Sequence, residues 1–299
     1  MHAITARKFT LLHWLLTAWL GLAAWPLHAA EAETVFTRAE VVEFASERFE
    51  YAPSPFKVKQ AQKLGIPVEV REEPSVALSG YLSRPPGDEA RAAVVLMHTC
   101  AGISEHEEAW AEKLVDWGYV VLAVDSFNPR GFDYICDGRP GAQVTPWLRA
   151  LDAYGARRYL ASLDFVDGER IAVIGMSHGG MTVMEAIKQS LSDGGELQPF
   201  QAGIALYPLC SEPEPVNAPT LILVGSADSW TPAALCEQYL EKSPSPERLT
   251  LRVFDDAHHL FDHPGIDAIE LGFVIRSDPE ASAETDTLAR SFLKEHLGR

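Results

Sequence analysis

Positive charge is scarce in this sequence: 25 Lys and Arg stand against 42 Asp and Glu in 299 residues, a formal net charge of −17 at pH 7. Phosphate backbones are held by clustered Lys and Arg, and no such cluster is evident, so nucleic acid is a poor partner and none is expected. The chain also lacks a long low-complexity linker, an internal repeat and a second apolar segment beyond the N-terminal one. A repeat array, a multi-span membrane protein and a two-domain chain joined by a tether are thereby disfavoured. With 47% hydrophobic and 22% charged residues, the chain can bury a sizeable core and is neither disordered nor fibrous. One catalytic-size domain is expected. Its acidic surface favours solubility and slows the approach of strongly anionic polymers.

The first residues are of a different kind. Arg7 and Lys8 precede an apolar run from Phe9 to Ala24, followed by Pro26 and several small residues. That is the layout of a secretory signal peptide. The run holds His13 and is shorter than the roughly 20 apolar residues a membrane span needs. Residues 1–32 are therefore expected to be a cleaved leader, cut after Ala32 or Ala29, with no Cys nearby to carry a lipid. The expected location is the periplasm or the outside of the cell, with no stable membrane insertion after cleavage. Export makes Cys100, Cys136, Cys210 and Cys236 candidates for two disulfides, because oxidised thiols persist outside the cytoplasm. Four cysteines allow three connectivities, and the sequence leaves all three open.

Residues 33–66 mix helical spacing with Pro53 and Pro55 and read as an N-terminal extension before a main domain over 67–299. Residues 68–85 alternate and contain Gly80, as two antiparallel strands joined by a turn would. From residue 92 the pattern becomes strand then helix: apolar runs at 92–98, 119–126, 170–177, 204–209, 220–225 and 249–254, with helical spacing at 107–118, 146–163, 234–242 and 285–297. Continuous apolar strands separated by helices predict a mostly parallel sheet covered on both faces, with ligands at the carboxyl ends of its strands.

The sharpest motif is Gly175-Met176-Ser177-His178-Gly179, between a strand and a helix. This is the nucleophile-elbow context, in which the serine sits on a strained turn whose neighbours have no room for bulk. The plainer alternative is that the glycines only let the helix pack close to the sheet. A serine hydroxyl needs a histidine base and a carboxylate to orient it, in this fold in the order Ser, acid, His. Asp228 follows the 220–225 strand, and His258 and His259 follow the 249–254 strand. Asp255, Asp256 and Asp262 compete for the acid role but, lying so near the histidines, read as turn-formers. An oxyanion needs two donors: the backbone N–H of His178, and one from His98-Thr99-Cys100-Ala101-Gly102, taken as Cys100. His98 itself reads as structural. His258, His259, Asp262 and His263 cluster, but their spacing fits no familiar ligand pattern, so no metal site and no cofactor are expected.

These segments resemble the dienelactone hydrolase family, a branch of the α/β-hydrolases, over about residues 68–297. The resemblance is carried by MHTCAG at 97–102, VDSFNPRG at 124–131, GMSHGG at 175–180, GSADSWTP at 225–232 and AHHLF at 257–261. The fold it implies is an α/β-hydrolase with an eight-stranded, mostly parallel sheet and helices on both faces. The family's Ala-x-His-x-Phe pattern selects His259, so the implied triad is Ser177, His259 and Asp228. The family's strand order implies pairing of Cys100 with Cys136 and of Cys210 with Cys236. Arg130 stands near the position of the family's carboxylate-holding arginine, and with Tyr207 and Trp230, and with Phe132 beside them, it is a candidate for substrate binding. Two positions depart from the pattern: the namesake enzymes have a cysteine nucleophile where this chain has Ser177, and an acidic residue near His98. Dienelactone is therefore not carried over as substrate. The expected activity is hydrolysis of a small-molecule carboxylic ester, possible lactones included. Its rivals are a peptidase or amidase on the same fold and a catalytically silent binding protein.

Overall fold

Six of the apolar runs become the parallel part of one eight-stranded sheet. The computed structural model describes residues 36–138, 144–193 and 197–298. The expected leader lies outside the described residues. The chain opens with β1 (Glu40–Ala45), β2 (Phe49–Tyr51), α1 (Pro55–Leu64), β3 (Arg71–Glu73), β4 (Ala77–Ser83), β5 (Arg91–Met97), α2 (Glu105–Asp116) and β6 (Val120–Asp125). It continues through α3 (Pro146–Ala161), β7 (Val166–Met176), α4 (His178–Ala186), α5 (Gln189–Ser192), β8 (Ala202–Leu206) and β9 (Thr220–Gly225). Last come α6 (Ala233–Lys242), β10 (Leu249–Phe254), β11 (Asp267–Glu270), β12 (Phe273–Arg276) and α7 (Pro279–Leu297). The sheet order is β1-β4-β6-β5-β7-β8-β9-β10. Strands β5 to β10 are parallel, and β4 and β1 join antiparallel at one edge.

The central strands are apolar over most of their buried spans because they serve two cores. On β5, Ala93, Val95 and Met97 face a core completed by α3, α4 and α6. Ala92, Val94 and Leu96 face the opposite core, completed by α2 and α7. Alternate residues of a strand point to opposite faces, so a strand covered on both sides has no polar position. Among the described residues no helix is long and apolar enough to cross a membrane.

The N-terminal part departs from its sequence pattern. Residues 40–45 form a strand of the main sheet, paired with β4 so that Val42 lies opposite Gly80 and is buried. An open sheet edge outweighs weak helical spacing. Pro55 begins α1 instead of ending a helix, with Ser54 capping the Lys57 amide, because a proline at the first helical position gives up no hydrogen bond. Residues 68–85 hold two strands, but β3 pairs with β2 and β4 with β1 and β6. Gly80 is not in a turn between them: a Cβ there would meet the Ala123 carbonyl oxygen at 2.8 Å and Leu122 Cδ1 at 2.9 Å. It marks the close approach of β4 to β6.

The disulfides are Cys100–Cys136 and Cys210–Cys236, the pairing the resemblance implied. Cys100 and Cys136 lie in the loops after the adjacent strands β5 and β6, whereas Cys210 follows β8 and Cys236 lies in α6, the helix after the adjacent β9. The two bridges close loops with sequence separations of 36 and 26, which the chain-entropy account puts at roughly 3–4 kcal/mol each.

Candidate active site

Ser177, Asp228, His259 and Cys100 each follow a parallel strand, β7, β9, β10 and β5, so all four reach one rim of the sheet. Ser177 forms the corner between β7 and α4 with φ 52° and ψ −114°, a left-handed conformation that an L-residue holds only under external constraint. The constraint is visible: the Ser177 amide donates to the Leu206 carbonyl at 2.9 Å, and its carbonyl accepts from Met181 at 2.9 Å. A Cβ on Gly175 would strike the Gly179 carbonyl, and one on Gly179 would strike that of Met97. The glycines thus serve the elbow and the close helix–sheet packing at once.

Asp228 sits in the turn after β9, where its Oδ1 accepts from the amides of Trp230 and Thr231, both at 2.9 Å. Its Oδ2 is 2.7 Å from His259 Nδ1 and accepts from the Thr231 hydroxyl at 2.7 Å. A carboxylate only accepts, so Nδ1 carries the proton and Nε2 presents a lone pair to the Ser177 hydroxyl, 3.0 Å away. Burial acts to raise the Asp228 pKa, but the hydrogen bonds from His259 and Thr231 outweigh it and hold the group below its usual value. The imidazole is clamped between Tyr207 and Trp230, with ring centroids at 4.8 and 5.1 Å. His258 makes no hydrogen bond to Ser177 or Asp228.

Two amides have no protein acceptor among the described residues: those of His178, which follows Ser177 at the start of α4, and of Cys100, after β5. The Thr99 amide, the alternative to Cys100, is taken by Glu107 at 3.3 Å. Both amide-bearing segments are braced by Arg149 of α3, which the sequence reading missed. Arg149 is fully buried, donates to His178 Nδ1 at 2.7 Å and to the His98 carbonyl at 2.7 Å, and leaves its Nε without a protein partner. Burial lowers the Arg149 pKa to about 9 against the opposing charges of Asp152 and Glu107, so it remains cationic at neutral pH. Burial and this guanidinium together push His178 down to about 3, leaving a neutral ring that accepts at Nδ1. His98 is structural, as expected: it is buried, with Nδ1 2.7 Å from the Thr99 carbonyl and Nε2 accepting from the Ser126 amide at 3.2 Å.

A cavity of about 250 Å³ opens onto Ser177 and His259, walled by Trp230, Leu260, Ile266, Ile275 and the Cys100–Cys136 disulfide. Part of this wall belongs to the β11–β12 hairpin, which the sequence reading left unassigned. Its signal was the Leu271-Gly272 pair between two short runs, with φ of 50° and 90°, as a two-residue hairpin turn requires. Beside the cavity lies a second buried network. Asp262 Oδ2 accepts from Trp110 Nε1 at 2.7 Å and lies 3.0 Å from His106 Nε2, while Oδ1 accepts from the Tyr207 hydroxyl at 2.7 Å. Burial opposes the charged form of both members, yet the attraction between them prevails: His106 is raised and Asp262 lowered.

Four expectations need correction. Arg130 does not line the cavity: it grips Asp152 through both nitrogens at 2.9 and 2.8 Å and donates to the Ser126 carbonyl at 2.7 Å, because a carboxylate buried in α3 needs a matching charge. Tyr207 is fully buried behind His259, with its hydroxyl committed to Asp262; only Trp230 of the binding candidates borders the cavity, and Phe132 packs in a separate small cluster. Asp262 is the buried acceptor of three side chains and not a turn-former, whereas Asp256, at φ 56°, does occupy a turn.

The model of the dienelactone hydrolase family matches residues 78–297. The uncharacterized protein YcjY of Escherichia coli (strain K12) is 32% identical over 120 residues, which cover 38% of this chain and 38% of that protein. The match thus spans well under half the length of that relative. The dienelactone hydrolase-like promiscuous phosphotriesterase P91, from metagenomic libraries, superposes with a TM-score of 0.61 at 18% identity, covering 87% of this chain and all of that one. Esterase 2 of Thermogutta terrifontis, in a form phosphorylated by paraoxon, gives 0.56 at 21% identity, covering 74% of this chain and 89% of that one. At these identities the two structures establish the fold alone.

Proposed function

We propose that this chain, which belongs to the dienelactone hydrolase family, is an exported serine hydrolase that cleaves carboxylic esters through an acyl-enzyme on Ser177. The observation that carries this reading is the relay of 2.7 Å from Asp228 to His259 and 3.0 Å from His259 to Ser177, at the floor of a cavity large enough for a small ester. Ser177 Oγ attacks the carbonyl carbon as its proton passes to His259 Nε2. The resulting oxyanion sits between the amides of His178 and Cys100, each worth about 10²–10³ in rate where such donors have been removed. Collapse expels the alcohol, which takes the proton from Nε2. Water, deprotonated by the same nitrogen, then attacks the acyl carbon, and collapse breaks the bond to Ser177 Oγ, which takes the proton back from Nε2 as the acid leaves. Asp228 stays ionised throughout and orients the ring.

Export is supported by the two disulfides, which fit an oxidising compartment. A fluorophosphonate probe tests the function directly, since it captures a serine only where a base activates it. The expected result is a single adduct, located by mass spectrometry on Ser177 and absent from Ser177→Ala. An adduct elsewhere, or none, overturns the proposal. A panel of 4-nitrophenyl esters against the matching anilides then reports the leaving group, with esters expected to be preferred.

A further inference from the structure

The cavity above Ser177 is electrostatically one-sided. Among the described residues no Lys or Arg lines it, and its titratable groups are His106, Tyr134, His259, His263 and Glu270. The charge of His106 is matched within the fold by Asp262 at 3.0 Å. His259 is engaged by Asp228 and Ser177, and His263 stacks its ring on His106 at 4.8 Å. Glu270, at the end of β11, is different. Its carboxylate has no ion pair among the described residues and accepts instead from the hydroxyl of Tyr134 at 2.5 Å. A phenol is a neutral donor, so the bond fixes the carboxylate at the wall and leaves its charge in place.

An anionic group entering this space meets two costs of the same sign. It gives up water to a largely apolar wall whose described residues offer no cation, and it faces the negative charge of the half-buried Glu270. Arg130, the sequence's candidate for holding a substrate carboxylate, is spent on Asp152. We propose that the cavity selects esters whose acyl and alcohol parts carry no negative charge, with Glu270 as the residue that rejects anionic substrates. This rests on the assignment of Ser177 as the nucleophile of a hydrolase.

The test compares kcat/KM within two matched pairs: 4-nitrophenyl butyrate against mono-4-nitrophenyl succinate, and phenyl acetate against 3-carboxyphenyl acetate. In each pair one member carries an added carboxylate, on the acyl side or the alcohol side. Salt at about 0.5 M screens the overall net charge, so that what remains is local to the cavity. Wild-type protein is expected to disfavour the anionic member of at least one pair more than tenfold, and Glu270→Gln to narrow that gap more than threefold. Gaps below tenfold in both pairs, or a gap that Glu270→Gln changes less than threefold, overturn the selectivity. Ser177→Ala separates the two levels: turnover that survives it, or wild-type protein that neither turns over any ester nor takes up the probe, overturns the hydrolase assignment itself.

Discussion

Two buried histidine–aspartate pairs lie side by side in this protein, and their second members come from adjacent stretches of chain: His259 pairs with Asp228 at 2.7 Å, and Asp262, three positions further on, pairs with His106 at 3.0 Å. Both pairs are buried, since all four residues are at most 4% exposed. What separates them is the far nitrogen of each imidazole. His259 turns Nε2 to a serine hydroxyl held on a strained corner. His106 has no protein partner at Nδ1, and its aspartate is saturated by Trp110 and Tyr207 besides. A histidine–carboxylate pair is therefore not in itself a catalytic signature; it becomes one when the second nitrogen faces a group that can give up a proton. The two pairs are also joined, because Tyr207 bonds Asp262 with its hydroxyl and packs its ring on His259. The second pair is the frame on which the first is mounted.

The comparison breaks most severely at the serine. Ser177→Ala and His259→Ala should each lower ester kcat/KM by about 10⁴-fold or more, with thermal midpoints close to wild type; an unchanged rate in either variant would remove the reactive pair from the site. Asp228→Asn comes next, with a loss of about 10²–10⁴-fold in kcat as the orienting acceptor becomes an amide. Asp262→Asn should act in the opposite register. It leaves His106 buried beside a neutral amide, so urea denaturation should show a loss of about 3–5 kcal/mol while turnover of the folded fraction falls by only about tenfold. If it cost as much activity as Asp228→Asn and little stability, the two pairs would have been assigned the wrong way round.

A subtler contrast is pH. The folded-state pKa of His106 is raised, so the pair's contribution to stability is complete below the unfolded histidine value of about 6.5 and fades as pH rises through the folded value. Asp262 is lowered, so its contribution is present above its unfolded value of about 3.8 and fades as pH falls below it. Denaturation of wild type and His106→Gln from acid to alkaline pH should show the largest stability difference between about pH 4 and 6.5, shrinking above; a difference that grew with pH would mean His106 is buried neutral. The smallest expected effect is at Thr231, whose hydroxyl bonds Asp228: Thr231→Val should slow turnover only severalfold, about 1 kcal/mol for one hydrogen bond.

Much of the site was legible because its signals are local. The glycines around Ser177 answer a steric demand within one turn, and Asp228 and His259 each follow an apolar strand whose character shows in six residues. Misreadings cluster where a partner is distant in sequence. Arg130 sits in a motif that suggests a ligand, yet its partner is Asp152 on a helix 22 residues away. Asp262 looks like a turn residue until Trp110 and His106, more than 150 residues earlier, close on it. The same holds for β1, whose spacing suggested a helix but whose hydrogen bonds go to β4.

By itself the sequence determined the layered α/β architecture and the order of nucleophile, acid and base along the chain, since apolar periodicity and backbone sterics act over a few residues and need no partner. Only the tertiary structure decided which charges meet. It sent Arg130 to Asp152, set Arg149 behind the two amide-bearing segments, and left Glu270 at the cavity wall with a phenol instead of a cation. Those outcomes follow from desolvation: a charge taken out of water settles on whichever opposite group or donor the fold brings within reach, and that reach is a property of the packed chain and not of neighbours in sequence.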